Sequence, residues 1–472
     1  MTAQTILPAN TLSSGFDVAN SCRFDGSTAF MTKSPSSNGS TSLGTISVWI
    51  KKSARTQYQT IFQSIDDGEN YFRIRFRDDN RIDIQSDISN STVLLKRTVR
   101  VFDDPSAWYH IVVKLKLDEG NNVDKVKLFV NGVQETSFTD VTDLTSTSQQ
   151  FVGAGSDYAI FVGKNGAADD VYFGGYMAEF VYLDGVAADP TSFGEFDEDS
   201  PTIWKPIDVS GLTYGTNGFY LDFEDSSNLG NDKNGGTDLS ETGLAAVDQC
   251  TDTCTNNFCT LTNATKLTDA TISEGNCNVT YGTASTRRAV FSTIAVFNGK
   301  WYCETKVTAT SQTSVEMNLG ISNTYRPEAI GNALVSNNGF TVSYFPAGSG
   351  GALYIGTTRD EQNLGALAVN DILGMAIDMD NGTLQFYKNG SALGSANDIT
   401  TGDSDDGELY PGFTVANSCS SGGQTFTAAH NFGNPTHSLS SAVSDSNGFG
   451  SFEYAPPSGF YAICTKNLAQ YG

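Results

Sequence analysis

Residues 374–390 read GMAIDMDNGTLQFYKNG, and two strands and two turns can be assigned there from chemistry alone. Leu373, Met375, Ile377 and Met379 alternate with smaller or polar neighbours, the period of a strand with one face on a core. Asn381-Gly382 and Asn389-Gly390 are Asn-Gly pairs, which tolerate the positive φ of tight primed turns, so Thr383 to Lys388 lies between two reversals. The run predicts a meander of three antiparallel strands. The same pattern recurs far upstream: Tyr109, Ile111, Val113, Leu115 and Leu117 alternate, Val126, Leu128 and Val130 follow, and Asn131-Gly132 turns the chain again. Two sheet cores of similar design are therefore expected in one chain.

Length and composition fit that expectation. A chain of 472 residues averages about three domains, but all-β sandwiches often pass about 200 residues each, so two large ones fit equally well. The 47 Gly, 29 Phe and 19 Tyr favour short strands and tight turns, and long amphipathic helical patterns are absent. The fold class read from this is all-β: two antiparallel β-sandwich domains of the jelly-roll type joined by a loop-rich linker.

The formal charge of −25, from 53 acidic against 28 basic residues, would repel a phosphate backbone and argues against nucleic acid as a partner. The start, MTAQTILPAN, lacks a basic segment followed by an apolar run, and no stretch approaches the length of apolar sequence that spans a bilayer. Neither a secretory signal nor membrane insertion is expected. The 8 cysteines are too sparse for a disulfide scaffold, and free thiols are expected.

Along the chain, residues 1–20 read as an N-terminal arm and 21–232 as the first sandwich. Within it Phe72, Ile74 and Phe76 share one face, and Arg73, Arg75 and Arg77 share the other. With Asp78-Asp79-Asn80 as a three-residue hairpin loop, Arg77 faces Arg81, Arg75 faces Asp83 and Arg73 faces Gln85. That pairing favours an ordinary solvated cross-strand face over a polyanion- or glycan-binding ladder. Residues 233–283 lose apolar periodicity and read as a linker containing Cys250, Cys254, Cys259 and Cys277. Their C-x3-C-x4-C-x17-C spacing lacks the paired C-x2-C of zinc ribbons and has no nearby histidine. The second sandwich is read over 284–435. Residues 436–472 are aromatic enough to pack back on it, with Pro456-Pro457 turning into a final strand.

Catalytic constellations are poorly represented, and no catalytic residue is assigned. Glu195-Phe196-Asp197-Glu198-Asp199 approaches the E-x-D-x-E strand of sandwich glycan hydrolases, but its fifth residue is Asp, its fourth is charged, and Ser200-Pro201 follow at once, so it reads as a loop. His110 lies opposite the apolar row of its strand and reads as structural. His430 and His437 have no G-x-S-x-G elbow nearby. Asp378-Met379-Asp380-Asn381-Gly382 has its glycine one residue early for an EF-hand and no glutamate at the twelfth position, which favours a hairpin turn.

The run at 374–390, with GKWYCETKV at 299–307, GISN at 320–323, GALYIG at 351–356, ELYPGF at 408–413 and NFG at 431–433, resembles the SPRY family. RFDGSTAF at 23–30, GTISVWIKK at 44–52, AWYHIVVKLKL at 107–117 and KVKLFVNGV at 125–133 resemble a laminin-G or concanavalin-A-like domain. The SPRY resemblance implies partner binding by loops at one sandwich edge, which makes Tyr325, Arg326, Tyr344 and Phe345 candidate ligand-binding residues; core packing of Tyr344 and Phe345 is the competing reading. The laminin-G resemblance implies calcium as the candidate ion, with Asp169 and Asp170 as its candidate ligands. The order of the two halves, together with PTSFGEFDED at 190–199, PPSGF at 456–460 and TKNL at 465–468, resembles virion proteins of marine bacteriophages.

This last resemblance implies a non-enzymatic structural protein of a phage particle, as fibre, tail part or capsid attachment, that displays lectin-like domains for host attachment or reinforces the particle. Its location would be the virion, assembled in the host cytoplasm. Its partners would be other virion proteins and a host-surface glycan or receptor, and the fibre analogy suggests a homo-oligomer, a trimer. The alternatives are a bacterial secreted or surface carbohydrate-binding adhesin and, from a third class, a glycan hydrolase using Glu195 and Asp197.

Overall fold

The computed structural model describes residues 15–53, 55–147, 157–166, 171–262, 270–282, 289–311, 317–323, 341–345, 350–355, 358–399, 412–419 and 425–472. The chain divides into two compact units, Ser13–Thr255 and a unit containing Asn256–Gly472. Both are built of antiparallel sheets, and the described residues contain one α-helix, Thr465–Tyr471. The all-β, two-sandwich expectation holds.

In the first unit two eight-stranded sheets face each other. Leu43–Lys52 lies between Trp108–Lys116 and Gly174–Asp184, and its Ile46, Val48 and Ile50 meet Phe62, Phe72, Ile74 and Phe76 of the other sheet in one buried cluster. Burying each such side chain contributes about 1.5–3 kcal/mol, so this core dominates the stability of the unit. Of the arm read over 1–20, residues 1–14 lie outside the described residues; Phe16 and Val18 pack beside Trp49, Ala178 and Trp204.

The predicted turn at Asn131-Gly132 forms, with φ of 49° and 77°, the paired left-handed residues of a primed turn. A Cβ on Gly132 would lie 2.4 Å from the Trp204 ring. Gly132→Ala should therefore cost about 2 kcal/mol or more in urea unfolding, through both the clash and the positive φ.

The outer face of this sheet is closed. Phe193, Val209, Tyr214 and Tyr220, all from the chain after Asp184, pack on Val112, Phe129, Val181 and Leu183. A bulge between Ala178 and Val181 places Glu179 at φ 49° beneath this cover, where its Oε2 accepts the Tyr220 hydroxyl at 2.7 Å. Burial lifts its carboxyl to about 8 from an ordinary 4.5. The folded chain then holds a proton that the unfolded chain has released, so this contribution is complete below the ordinary carboxylate pKa and is lost as pH rises toward 8. Glu179→Gln should flatten stability over that window and be the more stable form by roughly 2–4 kcal/mol at its upper end. Unfolding curves of both proteins across pH check this; parallel curves would contradict it.

Residues 233–283, read as a linker, are divided between the two units. Ser240–Thr242 pairs with Phe30–Lys33, and Gln249–Cys250 pairs with Ser21–Asp25. Ala270–Ser273 pairs with Asn278–Tyr281, which pairs with Phe426–Asn431. These strands are two to four residues long, too short to show a period, and long-range pairing holds them. Among the described residues Cys250, Cys254, Cys259 and Cys277 are thiols outside any disulfide.

In the second unit the meander Ile372–Asp378, Thr383–Lys388 and Ser391–Asp398 forms with Ile377 opposite Leu384 and Met375 opposite Phe386. Asn389 and Gly390 take φ of 49° and 78°, as predicted. The earlier reversal differs: it is a wider loop in which only Gly382 is left-handed, because the Asp378 carboxylate accepts the Asn381 N–H at 2.9 Å and its Nδ2–H at 2.8 Å and holds the turn open.

The outer face of this sheet is also closed. Phe452, Ala462 and Cys464 pack with Phe258 against Tyr302 and Ala376, and Tyr461–Ala462 runs parallel to Lys300–Thr310. The chain then ends in the Thr465–Tyr471 helix, beyond the predicted final strand. Glu304, buried beneath this segment, accepts the N–H groups of Glu453 and Tyr454, both at 2.9 Å, together with the Tyr302 hydroxyl and the Asn431 amide.

Candidate functional site

With the outer face of one sheet in the first unit covered, the other sheet supplies the exposed face. Arg73 and Arg75 on Asn70–Phe76 point away from the core because Phe72, Ile74 and Phe76 point into it. The register is the predicted one: Arg73 opposite Gln85, Arg75 opposite Asp83, and Arg77 N–H on the Arg81 carbonyl across a loop that Asn80 closes at φ 61°. The neighbouring strands continue the row outward, with Gln63, Phe161 and Thr32 on one side of Arg73 and Leu95 beyond Gln85. Phe30, Leu95 and Phe161 on this face are each part-exposed.

The arginines are not the freely solvated row the sequence suggested. The guanidinium of Arg73 lies 4.7 Å over the Tyr71 ring, and those of Arg75 and Arg77 lie 4.6 and 5.2 Å from Tyr58. Asp83 is fully buried, and it accepts Arg97 Nε at 2.8 Å, Arg77 Nη1 at 3.3 Å and Arg75 Nη2 at 3.5 Å. Arg73 donates to Gln85 Oε1 at 2.8 Å, while Gln85 Nε2 donates to the Tyr71 hydroxyl and to Asp87. Burial and the hydrogen bond to Asp87 push the Tyr71 phenol up to about 12. Burial, then the charge of Arg73, pulls the Arg75 guanidinium below its usual range despite Asp83.

At one end of the face Phe30, Phe161 and Tyr172 form an aromatic group, with ring centroids 6.2–6.3 Å apart, and Lys164 Nζ sits 4.8 and 4.9 Å from Phe30 and Tyr172. Gln63 is fully buried between Phe161 and Arg73; its Oε1 accepts the Gly166 N–H, and its Nε2 meets no acceptor among the described residues. The whole is a polar band with a patch of ring faces at its edge. Such a surface can stack on the apolar face of a sugar ring and donate hydrogen bonds to its oxygens.

Of the residues singled out from sequence, Tyr344 is fully buried and its hydroxyl donates to the Gly365 carbonyl, so it offers no surface to a partner. The side chain of Phe345, and Tyr325, Arg326, Asp169 and Asp170, lie outside the described residues. Among the described residues no group of three His, Cys, Asp or Glu side chains is placed to hold a metal ion. Glu195 and Phe196 pair with Lys205 and Trp204, and Asp197 caps the N–H groups of Asp199 and Ser200 while Lys205 binds both acids. That arrangement is a tied turn.

His110 is buried, stacked on Trp49 at 4.7 Å, with Nε2 at 2.8 Å from Ser47 Oγ. The Trp204 indole N–H donates to its Nδ1 at 2.9 Å, so the neutral ring carries its proton on Nε2 and gives it to Ser47. Burial lowers its pKa to about 3. It cannot take a proton from Ser47, and the pair is structural. Tyr58, Gln63 and Phe161 were not legible as site residues: Phe161 lies on a strand remote in sequence from the arginines, Tyr58 precedes the neighbouring strand, and the register shift between Thr60 and Phe62 hides the alternation that would place Gln63.

Comparison with known proteins agrees with the two units. Residues 24–187 match the laminin G model described as the concanavalin A-like lectin/glucanases superfamily, and residues 300–427 match the SPRY domain model. No curated protein matches the chain. Among solved structures, the SPRY domain of human HERC1 is similar at 16% identity, over 34% of this chain and 91% of that one, with a TM-score of 0.27. A heptameric SAP-like pentraxin from Limulus polyphemus is similar at 12% identity, over 37% and 80%, with a TM-score of 0.27. The CBM40 of the Ruminococcus gnavus IT-sialidase is similar at 14% identity, over 31% and 87%, with a TM-score of 0.22. The chain thus carries a concanavalin A-like domain of the laminin G type followed by a SPRY domain.

Proposed function

We propose that this is a non-enzymatic glycan-binding protein of a bacteriophage particle, whose first sandwich holds a host-surface saccharide on its exposed sheet face. The observation that carries the reading is the contrast between the two sheets of that sandwich. One is sealed by Phe193, Trp204, Tyr214 and Tyr220, while the other carries Phe161, Arg73, Gln85 and Leu95 side by side, each part-exposed. The virion setting rests on the motif order RFDG, VNGV, PTSFGEFDED, PPSGF and TKNL. In that setting the chain is a fibre, tail or capsid-attached part, with other virion proteins as partners and a trimer as its assembly. The hydrolase alternative is disfavoured by the tying of Glu195 and Asp197 to Lys205.

Two measurements test this. Gold-labelled antibody against the chain should decorate intact particles in electron micrographs, and bare particles would refute the virion setting. On a glycan array the full chain should retain at least one saccharide and lose it on Arg73→Ala; an array with no bound saccharide would refute the binding reading.

A further inference from the structure

The exposed face is unbalanced in its hydrogen bonding. The Nε atoms of Arg73 and Arg75, the Nε2 of Gln63 and the hydroxyl of Thr60 are buried with no hydrogen-bond partner among the described residues. The three nitrogens only donate, the Thr60 hydroxyl can do so, and all four sit on adjacent strands of one face. A neutral sugar's hydroxyls accept from such donors but also donate, whereas a carboxylate only accepts and adds the attraction of its charge.

The charges lean the same way. Asp83 is shared by Arg75, Arg77 and Arg97, Asp79 serves Arg77 and Arg81, and Asp140 serves Arg97. Arg73 meets Gln85 and the Tyr71 ring, and no carboxylate pairs with it among the described residues. Arg75, only 13% exposed, reaches Asp83 at 3.5 Å and stands two residues from Arg73 on the same side of the strand. Residues at that spacing lie about 7 Å apart, so a carboxylate between them can reach both.

Building on the glycan-binding reading, we infer that the saccharide held on this face is a uronate, its carboxylate bound by the Arg73 and Arg75 guanidiniums between Tyr71 and Tyr58. A planar carboxylate matches the two-pronged edge of a guanidinium, which a lysine ammonium does not reproduce. The chain's net charge of −25 repels polyanions as a whole, so a uronate that binds does so through this local cluster.

Titration calorimetry on the full chain at about 0.15 M salt, where charges more than about 8 Å apart are largely screened, tests this with three probes: alginate oligosaccharides, dextran oligosaccharides and dextran sulfate. Alginate should bind in preference to both others. Arg73→Gln and Arg75→Gln should each weaken it at least about tenfold, the loss of a charge-assisted pair. Arg73→Lys, which keeps the cation and removes the fork, should also weaken it. Lys116→Gln, whose cation pairs with Glu119, should leave it unchanged. Alginate binding that survives both glutamine variants overturns the inference, as does dextran sulfate binding as tightly as alginate. Binding of dextran or another neutral glycan without alginate overturns it too but leaves the glycan-binding reading standing. Binding of no glycan overturns both.

Discussion

Glu304→Ala should cost about 3–5 kcal/mol and loosen the C-terminal segment, the largest effect expected of any single substitution here. Glu304 is 2% exposed, and its two oxygens accept four donors: the backbone N–H groups of Glu453 and Tyr454, the Tyr302 hydroxyl and the Asn431 amide. Alanine would leave all four without that acceptor in a site closed by Phe452 and Tyr302, whose rings meet edge to face at 5.3 Å. Glu304→Gln keeps one carbonyl oxygen and should lose roughly half as much. Urea unfolding gives the cost, and limited proteolysis shows whether residues 436–472 become the first site of cleavage. Equal stability of the alanine variant and the parent would mean that the segment is held by its apolar contacts alone.

Asp83→Leu should cost about 3–4 kcal/mol, because it removes the one acceptor shared by Arg75, Arg77 and Arg97 while their stems stay packed in place. Asp83→Asn should cost less in stability and should strengthen binding. With the buried negative charge gone, the face becomes more positive, and its affinity for a uronate should rise while its affinity for dextran does not change. Thermal unfolding and calorimetry on the two variants separate these effects. A fall in uronate affinity with Asp83→Asn would show that Asp83 positions the arginines more than it offsets their charge.

How much of this could be read from sequence depends on how local each feature is. Asn389-Gly390 and Asn131-Gly132 fix their turns because two consecutive left-handed residues are needed and few other pairs supply them. Asn381-Gly382 looks the same in sequence, yet the side chain of Asp378 competes for the turn and widens it. The register of Arg73, Arg75 and Arg77 followed from the three-residue loop, since loop length sets pairing. Their burial did not follow, because it comes from Tyr58 ahead of the preceding strand, Tyr71 on their own strand and Arg97 two strands on, whose side chains meet the arginines only in the folded sheet.

The segment 233–283 was misleading for a related reason. Its strands carry no period of their own and exist through partners such as Phe30–Lys33 and Phe426–Asn431, far away in sequence. Tyr344 shows the limit for a candidate binding residue: an aromatic beside loops reads equally well as an exposed anchor or a core residue, and only its pairing with Leu353 and Leu319 places it inside.

The measurement that bears most directly on the role assigned to the exposed sheet is a crystal structure of the full chain grown with an alginate oligosaccharide. A sugar carboxylate against Arg73 and Arg75, between the Tyr71 and Tyr58 rings, is the predicted result. Saccharide bound elsewhere, with this face left bare, would contradict it.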